Sequence, residues 1–231
     1  MHLKYRSNQK ELLDGDAIAT KDLYQNLKEL DFINKHLGGY IASRKGFIRL
    51  IRENKVKTLM DIGFGGGDSI KQLAILAKKK KNDVFFYGVD LKQDCVNYAE
   101  ENLSALANKK LICNDYRNIS KELLNDIDLI HCSLFLHHLT NDEIIGLFHF
   151  ARENKCMILA NDLHRNVLAY YSIKWLTALF SKSYLVKNDA AVSVTRGFRK
   201  NELLDLLKQS GFKDYSVTWS WAFRYIIIAK S

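Results

Sequence analysis

Residues 58–68 combine a short apolar run, an acidic residue and four glycines, and this part of the sequence is the best suited to bind a ligand. The apolar run ends at Asp61, and the glycines follow between residues 63 and 67. Glycine lets the backbone turn tightly and lie directly against a bound molecule. Beyond the turn, apolar residues recur at helical spacing from Ile70 to Ala77, which predicts a helix whose N-terminal amides point back at the turn. The pattern of strand, glycine turn and helix therefore predicts a cofactor site.

The glycine spacing does not fit two common nucleotide motifs. A dinucleotide fingerprint needs G-x-G-x-x-G, or alanine at the last place, but counted from Gly63 that place is Asp68, and counted from Gly65 the pattern fails too. The phosphate-binding pattern G-x-x-x-x-G-K-[ST] does not occur. The other interpretation is a glycine-rich turn that binds nothing. The spacing resembles motif I of the class I S-adenosylmethionine-dependent methyltransferases, acidic-x-G-x-G-x-G, whose four places are matched by Asp61, Gly63, Gly65 and Gly67.

Two further predicted strands end near acidic residues, where the resemblance implies contacts with S-adenosylmethionine. The apolar run 84–89 ends at Asp90, and the run 111–113 is followed by Asp115. In the resembled family the first of these acidic residues holds the ribose and the second contacts the adenine edge. A carboxylate at the carboxyl end of a parallel strand is well placed to accept both ribose hydroxyls. The expected cofactor contacts also include Leu91, Tyr116 and Ser133.

Two adjacent histidines, His137 and His138, follow the fourth predicted strand, residues 127–133. Thr140 and Glu143 form a capping-box pattern, so a helix begins just after the histidines, which places them in the loop between strand and helix. In an open α/β sheet such a loop borders the ligand crevice. A His-His-Leu run at this place recurs in small-molecule methyltransferases, which implies a role at the substrate. The other interpretation is that one or both histidines only pack or hydrogen-bond within the loop.

A second polar group, residues 161–165, follows the fifth predicted strand. Four of these five side chains are polar or ionisable, which favours a functional site over core packing. Histidine has an unperturbed pKa of ~6.5 and is the best candidate base for removing a proton from an acceptor. We predict that His164 is the catalytic base and that His137 is the second candidate. The acceptor is predicted to contact Asp162, Arg165 and His138, of which His138 is the histidine best suited to a structural role.

An insertion at residues 163–197 is rich in aromatic and apolar side chains at helical spacing. It is predicted to form a helical lid over the substrate, with Tyr171 and Trp175 in contact with the acceptor. Two other interpretations stay open for these aromatic and apolar side chains. It could be ordinary core, or it could be a face that lies on a membrane surface.

The order of the predicted elements indicates an α/β fold. Alternating strands and helices predict a parallel sheet, and the resemblance implies a Rossmann-like sheet of seven strands in the order 3-2-1-4-5-7-6, with strand 7 antiparallel. The methyltransferase domain is predicted to span residues 56–231. Residues 1–55 are predicted to form two helices, at 23–37 and about 43–53, as a cap within the same domain, because so short a segment buries little core alone.

The histidine run and the polar run 161–165 look most like those of bacterial quinone-biosynthesis C-methyltransferases and polyketide-associated small-molecule methyltransferases. This resemblance implies a small, largely apolar, phenolic or quinol-like acceptor that is methylated on oxygen or carbon. An RNA methyltransferase is the alternative, because the net charge is +9. Against RNA, the basic residues are interleaved with acids, and a chain without proline cannot contain the proline-based motifs of base methyltransferases. A catalytically inactive S-adenosylmethionine-binding module is the third interpretation.

The composition also bears on location and on metals. No apolar run approaches the ~18 residues that span a bilayer, and the N-terminus lacks a signal-peptide core, so we expect a cytoplasmic protein. The four cysteines are widely spaced, which predicts reduced thiols and no metal site.

Overall fold

A seven-stranded sheet forms the centre of the fold in the computed structural model, which describes residues 3–15 and 18–230. The strands are β1 (Thr58–Ile62), β2 (Phe85–Asp90), β3 (Lys109–Cys113), β4 (Leu129–Ser133), β5 (Met157–Leu163), β6 (Asp214–Ser220) and β7 (Arg224–Lys230). Their order is β3-β2-β1-β4-β5-β7-β6; the first five strands are parallel, and β7 pairs antiparallel with β5 and β6. The predicted order and orientation are confirmed. The predicted domains extend to residues 1, 2, 16, 17 and 231, which lie outside the described residues.

Helices cover both faces of this sheet. They are α1 (Thr20–His36), α2 (Gly39–Glu53), α3 (Asp68–Lys79), α4 (Gln93–Asn102), α5 (Lys121–Leu124), α6 (Asn141–Glu153), α7 (Val167–Phe180), α8 (Tyr184–Arg196) and α9 (Lys200–Gln209). Successive strand residues point to opposite faces, so Leu59 packs with Phe47 of α2 while Met60 joins the cluster that contains Phe148 of α6. A sheet that is covered on both faces needs nearly continuous apolar strands, which explains the apolar runs in the sequence.

The N-terminal helices α1 and α2 are joined by a tight turn at Gly38, which has a φ angle of 75°. The second helix therefore begins at Gly39, earlier than the predicted start near residue 43. It lies directly on the sheet, because a Cβ atom at Gly46 would collide with Leu159 of β5. In this position α2 contacts β5, β7 and α3, and α1 contacts α2, α4 and α8.

The segment after β5 forms α7 and α8, which pack against each other. Within the described part of the chain, no helix has the length and apolar character needed to cross a membrane. The predicted helical insertion is thus a helix pair that also contacts α1 through α8.

The start of α6 provides a test of local stability. The Thr140 hydroxyl accepts a hydrogen bond from the Glu143 backbone N–H at 3.3 Å, and the Glu143 carboxylate accepts one from the Thr140 N–H at 2.8 Å. We expect Thr140→Ala to lower the free energy of unfolding by about 1 kcal/mol, because it leaves the Glu143 N–H group without this acceptor. Denaturant unfolding monitored by circular dichroism measures the effect. Thr140→Ser keeps the acceptor and should retain most of the stability; an equal loss in both variants would contradict a capping role.

Candidate active site

A cavity of about 850 Å³ opens at the carboxyl ends of β1, β2 and β4, and α1, α7 and α8 complete its walls. Small-molecule sites span roughly 300–1,000 Å³, so this cavity lies in the upper part of the range. The strand order reverses between β1 and β4, and α/β sheets bind their ligands at such a reversal. The cavity is therefore the place where the fold would bind a cofactor and a substrate together.

The turn after β1 has the conformation that its glycines predict. Gly63, Gly65 and Gly67 have positive φ angles of 69°, 55° and 76°. A Cβ atom at Gly63 would collide with the ring of Phe135, and one at Gly67 would lie 2.9 Å from Leu103. Gly63 and Gly65 line the cavity, whereas Gly67 is the N-cap of α3. The turn thus presents bare backbone to any ligand in the cavity.

Asp90 ends β2 and lines the cavity beside this turn. Its carboxylate accepts hydrogen bonds from the backbone N–H groups of Gly65, at 2.9 Å, and Lys92, at 3.0 Å. Burial raises the pKa of Asp90, while the two N–H groups act in the opposite direction. Carboxylate oxygens have about four lone pairs in total, so Asp90 could accept two further hydroxyl groups, such as those of a ribose.

The other residues predicted to contact the cofactor after β2, β3 and β4 also border the cavity. They are Leu91, Asp115, Tyr116 and Ser133. The Asp115 carboxylate already accepts a hydrogen bond from Arg117 Nε at 2.9 Å, and this bond lowers the pKa of Asp115. Asp115 therefore has less capacity than Asp90 for hydrogen bonds to a ligand.

Asp61 does not line the cavity, in contrast to the expectation from the glycine motif. Its Oδ1 lies 2.7 Å from Nδ1 of His131 on β4, and Nε2 of His131 lies 2.9 Å from the hydroxyl of Ser43 on α2. Asp61 points to the same face of the sheet as Leu59, because side chains alternate along a strand. That direction takes its carboxylate into the layer between the sheet and α2, where it connects β1, β4 and α2.

His137 and Asp162 form a buried pair at the wall of the cavity. Nδ1 of His137 lies 2.8 Å from Oδ1 of Asp162, and the His137 backbone N–H donates to Oδ2 of the same carboxylate at 3.2 Å. Burial alone would raise the pKa of Asp162, but the charge and hydrogen bond of His137 hold it below its ordinary value. Asp162 thus orients the His137 ring without lining the cavity itself.

His138 and two acidic residues from the N-terminal segment complete a cluster around His137. Nδ1 of His138 lies 2.8 Å from Oδ1 of Asp14. The Glu11 carboxylate lies near both rings, 3.5 Å from Nε2 of His137 and 3.9 Å from Nε2 of His138. Burial raises the pKa of Glu11 to about 7 against the opposing charge of His138. These four side chains all line the cavity.

Arg196 and Asp189 of α8 hold the N-terminal segment against the histidine loop. Arg196 donates to the backbone carbonyl groups of His137, at 2.8 Å, and His138, at 2.7 Å, and it forms an ion pair with Asp14. Asp189 accepts hydrogen bonds from the backbone N–H groups of residues 12 and 13. Ser193 of the same helix donates to the Glu11 carboxylate at 2.8 Å, so α8 supports the cluster.

His164 and Arg165 lie outside the cavity, which corrects their predicted place at the substrate. His164 borders a separate surface pocket, and its ring packs on Tyr225 with centroids 5.0 Å apart. Arg165 is buried and bonds the Gly197 carbonyl at 2.6 Å and the Glu202 carboxylate at 2.5 Å. Arg165 thus joins the end of β5 to α9 and the loop before it, whereas the His164 side chain packs against β7.

Tyr171 and Trp175 also face away from the cavity. They lie on the outer side of α7 and are 48% and 68% exposed, whereas Ser172, Ile173 and Leu176 of the same helix line the cavity. Because α7 is apolar on both sides, the spacing of its aromatic residues did not reveal which side faces inward.

Arg224 at the start of β7 lines the cavity and was not expected from the sequence. One of its N–H groups donates to the Asn34 side chain at 3.0 Å, while its Nε and Nη1 have no hydrogen-bond partner among the described residues. Burial lowers the pKa of Arg224 to about 10, which still leaves it charged at neutral pH. This guanidinium could hold an anionic group of a ligand. The available signal was an arginine at the beginning of an otherwise apolar strand.

Glu11 and Asp14 were also missed. They lie far from the histidines in the sequence, and their spacing indicates only a local turn, which the structure shows as a 3-10 helix at Leu12–Asp14. No pattern in residues 11–14 reveals that this turn folds onto the loop after β4.

Comparisons with known proteins agree with this geometry. Residues 59–171 match the model of a methyltransferase domain family. No curated protein sequence matches the chain.

Solved structures show the same fold at low identity. A SAM-dependent methyltransferase from Aquifex aeolicus is 17% identical with a TM-score of 0.61, over 89% of this chain and 97% of that one. Human N-acetylserotonin methyltransferase in complex with SAM is 17% identical with a TM-score of 0.63, over 92% and 56%. The plantazolicin methyltransferase BpumL in complex with SAH is 17% identical with a TM-score of 0.63, over 92% and 95%.

The sheet order and the family match define the class of the protein. It is a class I methyltransferase with a Rossmann-like fold. The chain is an S-adenosylmethionine-dependent enzyme, whose cofactor leaves as S-adenosylhomocysteine after methyl transfer.

Proposed function

We propose that this enzyme transfers a methyl group from S-adenosylmethionine to an oxygen or carbon atom of a small, largely apolar acceptor, such as a phenol or quinol. One observation carries the proposal: the glycine turn with Asp90 and the cluster of Glu11, His137 and His138 line the same cavity. The named neighbours that act on N-acetylserotonin and on plantazolicin support a small acceptor.

The cofactor is proposed to lie along the ends of β1, β2 and β3. In this position Asp90 accepts the ribose hydroxyls, and the backbone at Gly63 and Gly65 lies against the amino-acid part of the cofactor. Leu91, Asp115 and Tyr116 surround the adenine, and Ser133 lies near the sulfonium. The geometry that supports this placement is the row of cavity-lining residues at the strand ends.

Methyl transfer requires the protein mainly to align the acceptor and to remove its proton. Methyl transfer is an in-line displacement at a sulfonium carbon, whose leaving group is already activated, so holding the acceptor in line supplies much of the rate. A hydroxyl acceptor must also lose its proton, to which a positioned base contributes typically ~10²–10⁴-fold. We assign this step to the group of Glu11, His137 and His138 and not to His164, because the group lines the cavity and His164 does not.

The acceptor is proposed to lie between α1 and the helix pair α7 and α8, whose inner surface is mainly apolar. Replacing Leu176 by alanine removes a side chain from this wall. We expect the KM for the acceptor to rise by about tenfold, since one apolar contact contributes roughly 1–3 kcal/mol to discrimination. Steady-state kinetics at saturating cofactor measures it.

Trp175→Ala is the matched control for this variant, because Trp175 directly precedes Leu176 in α7 but points outward. Its KM should stay within about twofold of the wild-type value. A larger effect for Trp175 than for Leu176 would place the acceptor on the outer surface of α7 and contradict the proposed pocket.

The decisive experiment on the proposed function has two parts. Calorimetry with S-adenosylhomocysteine should show one bound molecule per chain, and an absence of heat would overturn the cofactor site. A screen of phenols, quinols and RNA with labelled methyl donor should then show transfer to a small molecule. Salt-sensitive binding and methylation of RNA would favour the alternative substrate, and binding without any turnover would indicate an inactive module.

A further inference from the structure

The cluster of Glu11, His137 and His138 has the geometry of a metal site. One ligand atom from each residue, a carboxylate oxygen and two imidazole nitrogens, lies within 4.8 Å of the other two. Around a metal ion with bonds of about 2.1 Å, such atoms lie roughly 3.0–3.4 Å apart. The observed separations are 3.5 Å from Oε1 of Glu11 to Nε2 of His137 and 3.9 Å from Oε2 of Glu11 to Nε2 of His138, slightly longer than the separations around a bound ion.

Both histidines are oriented as metal ligands usually are. A metal-binding histidine commonly offers one ring nitrogen to the ion and donates the other N–H to a carboxylate, which holds the ring in place. Here Nδ1 of His137 lies 2.8 Å from Asp162, and Nδ1 of His138 lies 2.8 Å from Asp14. Both Nε2 atoms are therefore directed to the same carboxylate, that of Glu11.

The charge around the cluster is also suited to a cation. Four acidic residues are present, and three arginines, at positions 6, 196 and 224, face them. If both histidines are neutral, as metal ligands must be, one negative charge remains. The four acids are Glu11, Asp14, Asp162 and Asp189.

We propose that Glu11, His137 and His138 bind one divalent first-row transition metal ion, of the kind that imidazole and carboxylate ligands suit, such as Zn²⁺, Mn²⁺ or Fe²⁺. Three protein ligands leave coordination positions open, and the cavity lies on the open side because all three residues line it. The acceptor oxygen takes one of these positions. This proposal differs from the expectation of no metal site, because the site depends on the fold bringing residue 11 to the loop after β4.

The use of the ion in catalysis rests on the proposed function. With the ion bound, the three side chains act on the acceptor proton through it: the ion polarises the acceptor hydroxyl, and the O–H bond breaks with its proton passing to water. The oxygen lone pair then forms a bond to the methyl carbon while the C–S bond breaks, and the sulfur keeps that electron pair. The products are the methylated acceptor and S-adenosylhomocysteine.

The test measures metal binding directly on the full chain and does not depend on methyl transfer. The protein is treated with EDTA, dialysed and titrated with Co²⁺, followed by visible absorption, and with Zn²⁺, followed by calorimetry. We expect one ion per chain with a dissociation constant in the micromolar range or below. Failure to bind either ion would overturn the proposal, whereas failure to bind S-adenosylhomocysteine would overturn the proposed function and leave the metal site standing.

Variants locate the ion. Glu11→Gln keeps the shape of the side chain and should weaken Co²⁺ binding by about 100-fold. His138 is half-buried, and His138→Ala should weaken Co²⁺ binding by the same factor. Asp14→Asn should weaken it by about tenfold, as expected for a carboxylate that orients a ligand. His36→Ala removes an exposed histidine of α1 and should leave binding unchanged. Thermal unfolding confirms that each variant folds, and an unchanged affinity in folded Glu11→Gln and His138→Ala would contradict the site.

Discussion

Replacing His137 by alanine is expected to lower the rate of methyl transfer to a hydroxyl acceptor by at least about 100-fold. His137 lines the cavity, as His138 does, and its ring is held in one orientation by Asp162. Its loss removes a group needed to release the acceptor proton, whether the ring acts by itself or through a bound ion. Single-turnover measurements with labelled methyl donor and the acceptor from the screen give the rate.

His164→Ala is the control for this prediction, since it removes a histidine of the neighbouring loop that does not reach the cavity. Its rate should stay within about tenfold of the wild-type rate. Because His137 is buried, calorimetry with S-adenosylhomocysteine should first show that the variant binds the cofactor normally. If His137→Ala binds the cofactor normally and its rate is unchanged, the assignment of proton removal to this cluster is wrong. Catalysis then depends on alignment of the acceptor alone.

Asp90→Ala is expected to weaken binding of S-adenosylhomocysteine by at least about 100-fold. The proposed site gives Asp90 two hydrogen bonds to the ribose, and bonds to a charged group contribute roughly 1.5–3 kcal/mol each. The variant also leaves the N–H groups of Gly65 and Lys92 without their acceptor, which disturbs the glycine turn. Calorimetric titration of both proteins measures the ratio of dissociation constants.

A matched carboxylate makes this test specific. Asp115→Asn alters a residue at the next strand end, where the carboxylate is already paired with Arg117, and its effect should stay below about tenfold. Asp90→Asn keeps the size of the side chain and should fall between the two variants. If Asp90→Ala and the wild type bind S-adenosylhomocysteine with equal affinity, the ribose does not bind at the end of β2.

Local patterns in the sequence were sufficient for most of the fold. Apolar runs that end at Asp61 and Asp90 predicted β1 and β2, and the capping box at Thr140 located the start of α6 within a residue. These features depend on neighbours in the chain, because strand alternation, glycine conformation and helix capping are decided within a few residues. The strand order came from the resemblance to a family, and not from any property of the single runs.

Strand ends could likewise be predicted as parts of a site, since all parallel strands end at the same edge of a sheet. The direction of individual side chains could not. Asp61 points into the layer between the sheet and α2, where it bonds His131. His164 packs on Tyr225 and does not reach the cavity. Helical spacing grouped Tyr171 with Trp175 correctly, but which side of an apolar helix faces inward depends on the elements packed against it.

The sequence by itself determined the class of fold, the glycine turn and the acidic residue at the end of β2, because each arises from interactions between close neighbours. The tertiary structure alone decided that Glu11 and Asp14 meet the two histidines, and that Arg224 reaches the same cavity. These contacts join segments that are far apart in the chain. Arg196 and Asp189 of α8 hold the N-terminal turn at the histidines, and no pattern within residues 11–14 carries that information.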